Sequence, residues 1–462
     1  MNTIIISALS GIILMFSGFY IKNSRALTFI SALMFIAIII GGVFELNGCK
    51  MLDGRFPNMI GESLYGVSFI IGLAALAVFY LLINKDQFGK VGNHVGEYFA
   101  LIFFSFTGVA VLGQFNNLVL MFLGIELMSI PMYIIAGTNK ESLKSTEASV
   151  KYFLMGAFST GILLLGITFL YGATGTFLVD NIDKFDQNFE MIYYLGWILI
   201  IFSFCFKVGA APFHMWTPDV YAGTPTVFTS YMSTIVKGGS FLGFILVMQH
   251  FPADAEYSGY LRVLLGAIIV LTLVLGNFGA VTQKSVKKMM AYSSIAQAGF
   301  MLFVLFQVNS VSKEALFFYT IVYSVANFII FYTIQQTKAE KYEDLIGLGK
   351  ANPFLAAATS VALISLAGIP LTGGFIAKFM ALSIGGANAE NLVIIVIALV
   401  MAVLSMYYYF KVIIHMYFKE GHSNIKTQDG LTTALLVVGI VILIVMGIFP
   451  GILPSFLATP MW

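Results

Sequence analysis

Five lysines stand in stretches of this sequence that are otherwise apolar for the length of a helix: Lys151, Lys207, Lys237, Lys378 and Lys411. Among the acids, Glu126, in LGIELMSIP, sits deep in such a stretch, and Asp219 lies beside a proline-rich interruption. Arginine keeps its proton in any protein environment, whereas a desolvated lysine gives its proton up, so buried lysines suit proton transfer better than static pairing. The competing reading is structural, because a lysine near a helix end commonly extends its ammonium to the headgroups. That reading stays open for Lys151 and Lys411. Lys207, Lys237, Lys378 and Glu126 lie farther from any helix end. Each charge costs at least about 2.5 kcal/mol at the centre of a membrane helix. Four such charges in one chain point to a polar path lined by partners.

The elements that position these groups follow from composition. Of 462 residues, 59% are hydrophobic and 10% charged, with mean hydropathy +0.93, whereas a soluble domain carries about 25% charged residues. The apolar excess must face lipid or other helices. A net charge of +2 gives no support for nucleic-acid binding. Cys49 and Cys205 are far apart and form no CxxC, so neither an iron–sulfur cluster, a covalent haem nor another metal site is expected. At roughly 20 apolar residues per crossing, the chain is expected to be an all-α polytopic membrane protein. It has about fourteen spans, beginning near residues 3, 26, 64, 98, 118, 146, 192, 224, 261, 288, 314, 353, 391 and 431. The stretch Thr3 to Tyr20 has no preceding positive charge and is followed by Lys22 and Arg25, so it reads as the first span, not a cleaved leader. Loops after odd-numbered spans hold 14 lysines and arginines and loops after even-numbered spans hold 5. The positive-inside rule then places the odd loops in the cytoplasm and both termini outside.

Two spans are interrupted. The seventh runs into FKVGAAPFHMWTPDVYAGTPT, where Gly209, Pro212, Pro218, Gly223 and Pro225 follow Lys207. The twelfth reads SLAGIPLTGGFIAKFMAL, with Pro370, Gly373 and Gly374 before Lys378. Unwound backbone at membrane depth is tolerated only inside protein or along a wet cavity, and paired breaks point to a transport site built on inverted repeats. Lys207 and Lys378 share a register offset with Glu126 and Gln297. Two five-helix inverted repeats are therefore expected, spans four to eight and nine to thirteen, with broken helices seven and twelve. The corresponding divisions are a three-helix segment over 1–95, a translocating module over 96–417 with repeats 96–250 and 259–417, and a terminal helix over 418–462. His214 follows the first break and either passes a proton there or caps the broken helix. His94, His250, His415 and His422 fall near span ends and read as solvated.

The motifs APFHMWTPDVYAGTPT, STIVKGGSF, KKMMAYSSIAQAGF and LAGIPLTGGFIAKF resemble those of the proton-conducting antiporter-like subunits of respiratory complex I. The likeness covers roughly the fourth to thirteenth spans. Lysine after the twelfth-span break, where the M-type usually has glutamate, and the lack of the L-type's C-terminal extension make the N-type (subunit N) the nearest match. The resemblance implies a subunit of NADH:quinone oxidoreductase that pumps protons. NADH, FMN, iron–sulfur clusters and quinone belong to other subunits, and antiporter-like and small membrane subunits are the partners. A bacterial inner membrane is the implied location. Carried over by motif, Glu126 and Lys207 would be a coupled pair, Lys237 the central relay and Lys378 the exit-side terminus. Lys151 matches the family's sixth-span lysine. Separating the carboxylate from Lys207 would release a proton toward Lys237, with Ser230, Thr234 and Tyr408 as bridges. A Na⁺/H⁺ antiporter of the Mrp type is the nearest alternative function, and a passive scaffold a more distant one.

Overall fold

A computed structural model describes residues 1–52, 55–56, 58–61, 63–251, 255–386, 391–421 and 428–451, without side chains for 255–258. Among the described residues every regular element is helical, and isolated bridges such as Asn117 to Leu178 and Ser285 to Lys341 tie loops together. Thirteen helices are long and apolar enough to cross a membrane. They are Asn2–Tyr20, Ser24–Leu46, Leu64–Ile83, Val95–Leu112, Leu118–Ala136, Leu143–Thr174, Gln187–Val208, Thr226–Met248, Gly259–Thr282, Val286–Phe306, Ser310–Thr337, Leu392–Tyr417 and Gly430–Ile448. The pair Pro353–Ala367 and Gly373–Gly385 supplies one more crossing in two pieces. The fourteen expected spans are therefore present, in the expected order.

Each helix begins with N–H groups that have no partner within the helix, and in an apolar medium they must find one locally. Short polar residues do this: Asn23, Ser63, Asn117, Ser285, Asn309, Asn352 and Asp429 accept from the first turns of their helices. The eighth, tenth and eleventh spans are enclosed over 100%, 94% and 94% of their apolar windows, whereas the first, thirteenth and fourteenth are enclosed over 28%. The outer spans present Leu9, Ile13 and Phe16, or Val396, Val400 and Val403, at helical spacing on an exposed face. Enclosed polar spans inside apolar outer ones place any wet path through the middle of the bundle. The third span packs on the eighth, eleventh and fourteenth, and the first packs on the fourth.

Both predicted breaks are present. The helix ending at Val208 stops at Gly209 with φ 75°, and the one ending at Ala367 stops at Gly368 with φ 83°. Only glycine takes that left-handed conformation cheaply. A shorter helix follows each break, Trp216–Gly223 and Gly373–Gly385. The shared offset drawn from sequence does not survive. Counted from the two capping glycines, Lys207 lies two residues before its break and Lys378 ten after its own. The lysines therefore reach their breaks from opposite sides and are not superposed positions.

Candidate proton-transfer site

Lys207 lies in the last turn before the seventh-span break and is 9% exposed. Its Nζ donates to Ser129 Oγ and Tyr133 OH, both at 3.1 Å, and sits 5.8 Å from the centre of the Tyr133 ring. Glu126 is on the same stripe of the fifth span but half-buried, beside the exposed Leu123, Leu127 and Ile130. Among the described residues it forms no ion pair with Lys207. Glu126 and Lys207 do not touch: Lys207 enters the stripe one to two turns beyond Glu126, where two hydroxyls hold its ammonium. The Glu126 charge acts on Lys207 through space.

Lys237 follows a π-helical stretch, Met232–Val236, in the eighth span. Such a widened turn re-aims the next side chain and is common at functional sites. Lys237 Nζ is 2.8 Å from the Ser294 carbonyl and also donates to Ser294 Oγ. The next residue back, Ser293, shares a 2.5 Å hydrogen bond with Tyr409 OH. Gln297 Nε2 donates to Tyr409 OH at 3.1 Å and to the Leu366 carbonyl at 2.9 Å, and its Oε1 accepts from Tyr319 OH at 2.5 Å. Lys378 Nζ donates to the adjacent carbonyl, Ala367 O, at 2.9 Å, and lies 4.8 Å from the Phe300 ring centre. Lys237, the Ser293–Ser294 pair, Tyr409, Gln297 and Lys378 thereby form one buried polar line. Gln297, which sequence paired with Glu126 by offset, belongs to this line. Tyr408 borders it: its hydroxyl donates to Asn277 Oδ1 at 3.1 Å and neighbours that of Tyr409. Ser230 and Thr234 both lie on the buried face that leads to Lys237, and Thr234 Oγ1 donates to the Ser230 carbonyl at 2.6 Å.

Lys151 stands apart. It pairs with Glu147 at 2.7 Å and with Asp219 at 2.8 Å, Asp219 also binds Lys288 at 3.2 Å, and these groups line an open cavity of about 810 Å³. His214 is 7% exposed and its Nδ1 has no protein partner, so this nitrogen does not cap the break. Lys411 lies 4.3 Å from the Tyr342 ring centre.

Four features were not foreseen. His415, read as solvated, is 5% exposed, with Nδ1 on the Lys411 carbonyl and Nε2 at 2.8 Å from Lys419 Nζ. Its helix turns it inward against Tyr342. His422 lies outside the described residues. Lys85, assigned to a loop, is buried and paired to Asp429. Burial raises the Asp429 carboxyl, but hydrogen bonds from Lys85 and Thr432 outweigh it and hold the group below its ordinary 3.8. Glu45 is buried at the end of the second span, where it accepts from the Met1 ammonium. The π-helical turn before Lys237 has no local sequence signature. Among the described residues no three His, Cys, Asp or Glu side chains converge as a metal site would need.

Residues 116–405 match the family model described as NADH:quinone oxidoreductase/Mrp antiporter, TM. NADH-quinone oxidoreductase subunit N of Cytophaga hutchinsonii is 38% identical over 461 residues, covering 98% of each chain. The subunit N of Flavobacterium psychrophilum is 32% identical over 463 residues, covering 99% of this chain and 100% of its own. A chain of respiratory complex I from Thermus thermophilus with bound aureothin superposes with TM-score 0.84 at 28% identity, covering 99% of both. A chain of the Mrp complex from a Dietzia species shares the fold, with TM-score 0.80 at 17% identity over 100% of this chain and 97% of its own. With a capped, twice-broken helical bundle around a buried lysine line, and relatives alike from end to end, the chain belongs to the subunit N family, the antiporter-like, proton-translocating membrane subunits of NADH-quinone oxidoreductase.

Proposed function

We propose that protons cross this subunit along the buried line described above, with Lys207, Lys237 and Lys378 as carriers and Glu126 as the charge that biases Lys207 from a distance. The single observation that carries this reading is the buried series of polar groups in which Lys237 bonds Ser294, its chain neighbour Ser293 bonds Tyr409, Tyr409 bonds Gln297, and Gln297 bonds Leu366 O beside the Ala367 carbonyl that holds Lys378. Hydroxyls both donate and accept, so Ser293 and Tyr409 can pass a proton on. The Gln297 amide and the Leu366 and Ala367 carbonyls cannot carry one, and instead supply the polar lining on which bridging water is held. Lys207 is held by Ser129 and Tyr133, and water would bridge from there to Lys237. Lys151 lines the open cavity and His214 follows the seventh-span break, and both are secondary.

The remaining assignments rest on the same reading. Electrons from NADH would pass through FMN and iron–sulfur clusters to quinone on other subunits, and this chain would couple to them through neighbouring membrane subunits. The lysine-rich loops would face the cytoplasm of a bacterial inner membrane, with both termini periplasmic, because the excess of loop lysines is one-sided. The translocating module would be 96–417, with repeats 96–250 and 259–417 flanked by 1–95 and 418–462. The two capped breaks at Gly209 and Gly368 support that division.

The test is NADH-driven acidification of inverted vesicles carrying the complex with Lys207→Ala, assembly being checked on a native gel. Reduced acidification with assembly intact is the expected result. Full pumping and full turnover would return these lysines to a scaffold role.

A further inference from the structure

The proposed relay leaves one question that the structure answers with a residue outside it: how the open cavity on the lysine-rich face connects to Lys237. Lys287 is the second residue of the tenth span. Its neighbour Lys288 turns outward to Asp219. Lys287 turns the other way, and its Nζ is 2.9 Å from the Thr224 carbonyl and 3.3 Å from the Ala222 carbonyl. These are carbonyls at the C-terminal end of the half-helix Trp216–Gly223, where the helix leaves its last acceptors unsatisfied. The lysine therefore stitches the tenth span to the broken seventh across the floor of the cavity, which both Lys287 and Ala222 line.

Behind that stitch runs a column of buried oxygens. Thr226 lines the cavity, and Ser230, Thr234 and Lys237 follow at helical spacing on the eighth span. The distance from Thr226 to Lys237 is roughly 16 Å along the axis. On the facing eleventh span, Gln335 lines the cavity and Ser324 and Tyr323 lie deeper. The Thr224, Ser230 and Ser324 hydroxyls and Gln335 Oε1 are buried without a protein hydrogen-bond partner. Buried polar atoms are almost always satisfied, by water when not by protein. These four atoms, from Gln335 at the cavity wall inward, mark a hydrated column. Its inner end is Ser294, which binds Lys237, is approached by the Tyr221 and Tyr323 hydroxyls, and lies two turns, about 10 Å, from Lys287 on the same helix.

We infer that Lys287 gates this column: its ammonium closes the mouth while bonded to Thr224 and Ala222, and opens it by swinging into the cavity toward Glu340. Glu340 is placed for this, since its backbone carbonyl holds the start of the tenth span and its carboxylate acts on Lys287. Water and protons pass only in the open state, and a closed gate stops protons from returning against the gradient. Lys287 is a gating residue and not one of the carriers. The inference rests on the relay and the orientation proposed above.

The experiment uses the assembled complex in inverted vesicles. Lys287→Met keeps the length and apolar stem but removes the donor, while Lys287→Arg keeps donors for both carbonyls. Expected for Lys287→Met are an unchanged initial rate of lumen acidification per NADH, a lowered steady-state pH gradient, and loss of the slowing of NADH oxidation that the gradient normally imposes. Lys287→Arg should retain both. A wild-type gradient and wild-type slowing in Lys287→Met overturn the gate. If Lys287→Met does not assemble, Lys287→Leu, which also lacks a donor, is read in the same way. Ser230→Leu, which fills the column with Lys287 untouched, must abolish acidification, and normal pumping in it also overturns the inference. Failure of the relay is distinguishable, because Lys378→Ala would then pump normally whatever Lys287 does.

Discussion

Tyr409 is the narrowest point of the proposed line, and replacing it with phenylalanine tests the line at one atom. Tyr409 OH is 2.5 Å from Ser293 Oγ and 3.1 Å from Gln297 Nε2, and the ring is 1% exposed. Removing the hydroxyl leaves the ring and its packing. Gln297 keeps Leu366 and Tyr319 as partners, whereas Ser293 loses the side-chain partner it has in the line. A buried polar group left unsatisfied costs about 1–3 kcal/mol, and if that cost falls on the transfer step the hop slows by roughly 5- to 150-fold. Tyr408 provides the comparison: it is equally buried with its ring tilted 4.5 Å from that of Tyr409, but its hydroxyl donates to Asn277 and only borders the Tyr409 hydroxyl, with no bond to Ser293 or Gln297. Acidification per NADH in inverted vesicles should therefore collapse in Tyr409→Phe and stay near wild type in Tyr408→Phe, with assembly equal on a native gel. Equal pumping by Tyr409→Phe and wild type, or equal losses in the two variants, would refute the path.

Gly368→Ala should both strain and misplace. The residue has φ 83°, and a Cβ would stand 2.9 Å from Lys378 Cδ, so the variant costs roughly 1–2 kcal/mol in the left-handed backbone. Its thermal midpoint should fall, and its pumping should fall further than the midpoint explains. Lys151→Met removes a cluster member whose ion pairs are screened by water; acidification should fall far less than in Lys207→Ala, and an equal loss would promote Lys151 to the main path. Asp429→Asn keeps a side-chain oxygen to cap the fourteenth span but removes the charged partner of Lys85. Because the folded carboxyl is held below 3.8, its stabilisation is present above the unfolded value and lost as pH falls through the folded one. The gap in thermal midpoint between Asp429→Asn and wild type should thus be full at neutral pH and close only below the carboxylate range. A gap that persists there would exclude the ion pair as its source.

The spans were legible because apolar runs, polar caps and loop charge are local properties of the chain. Asn117, Ser285 and Asp429 sit where a helix must start, and Gly209 and Gly368 where one must stop. The buried lysines were legible for the same reason, since a charge in an apolar run is visible without knowing its partner. What it touches is not. That Lys207 bonds Ser129 and Tyr133 and not Glu126 itself was not legible, because sequence gives the depth of a residue but not the angle at which another helix meets it. Tyr408 and Tyr409 are neighbours in sequence, and only the packing of the thirteenth span against the ninth and tenth decides which hydroxyl joins the line. Lys85, Lys287 and His415 were assigned to loops or solvent because they stand at span ends, yet each turns inward onto a neighbouring element.

The two breaks treat their lysines differently, and the difference gives the line a direction. Lys207 is held by Ser129 and Tyr133, whose hydroxyls accept from its ammonium and can donate onward. Lys378 is held by Ala367 O, an acceptor with nothing to donate. That carbonyl is free because the helix ends there: the break at Gly368 removes the residue that would have bonded it, and the negative end of the helix dipole faces the ammonium. Phe300 closes one side with the face of its ring. Among the described residues the hydrogen-bond acceptor on Lys378 is a carbonyl alone, whereas Lys207 and Lys237 are each bonded to a hydroxyl. The broken twelfth helix is therefore more than a gap for water. It creates the acceptor that would make Lys378 a terminus in the proposed relay. Restoring a donor there with Leu366→Ser, one residue before the carbonyl, should weaken that asymmetry and lower the proton yield per NADH without slowing NADH oxidation; an unchanged yield would show that the carbonyl does not set the direction.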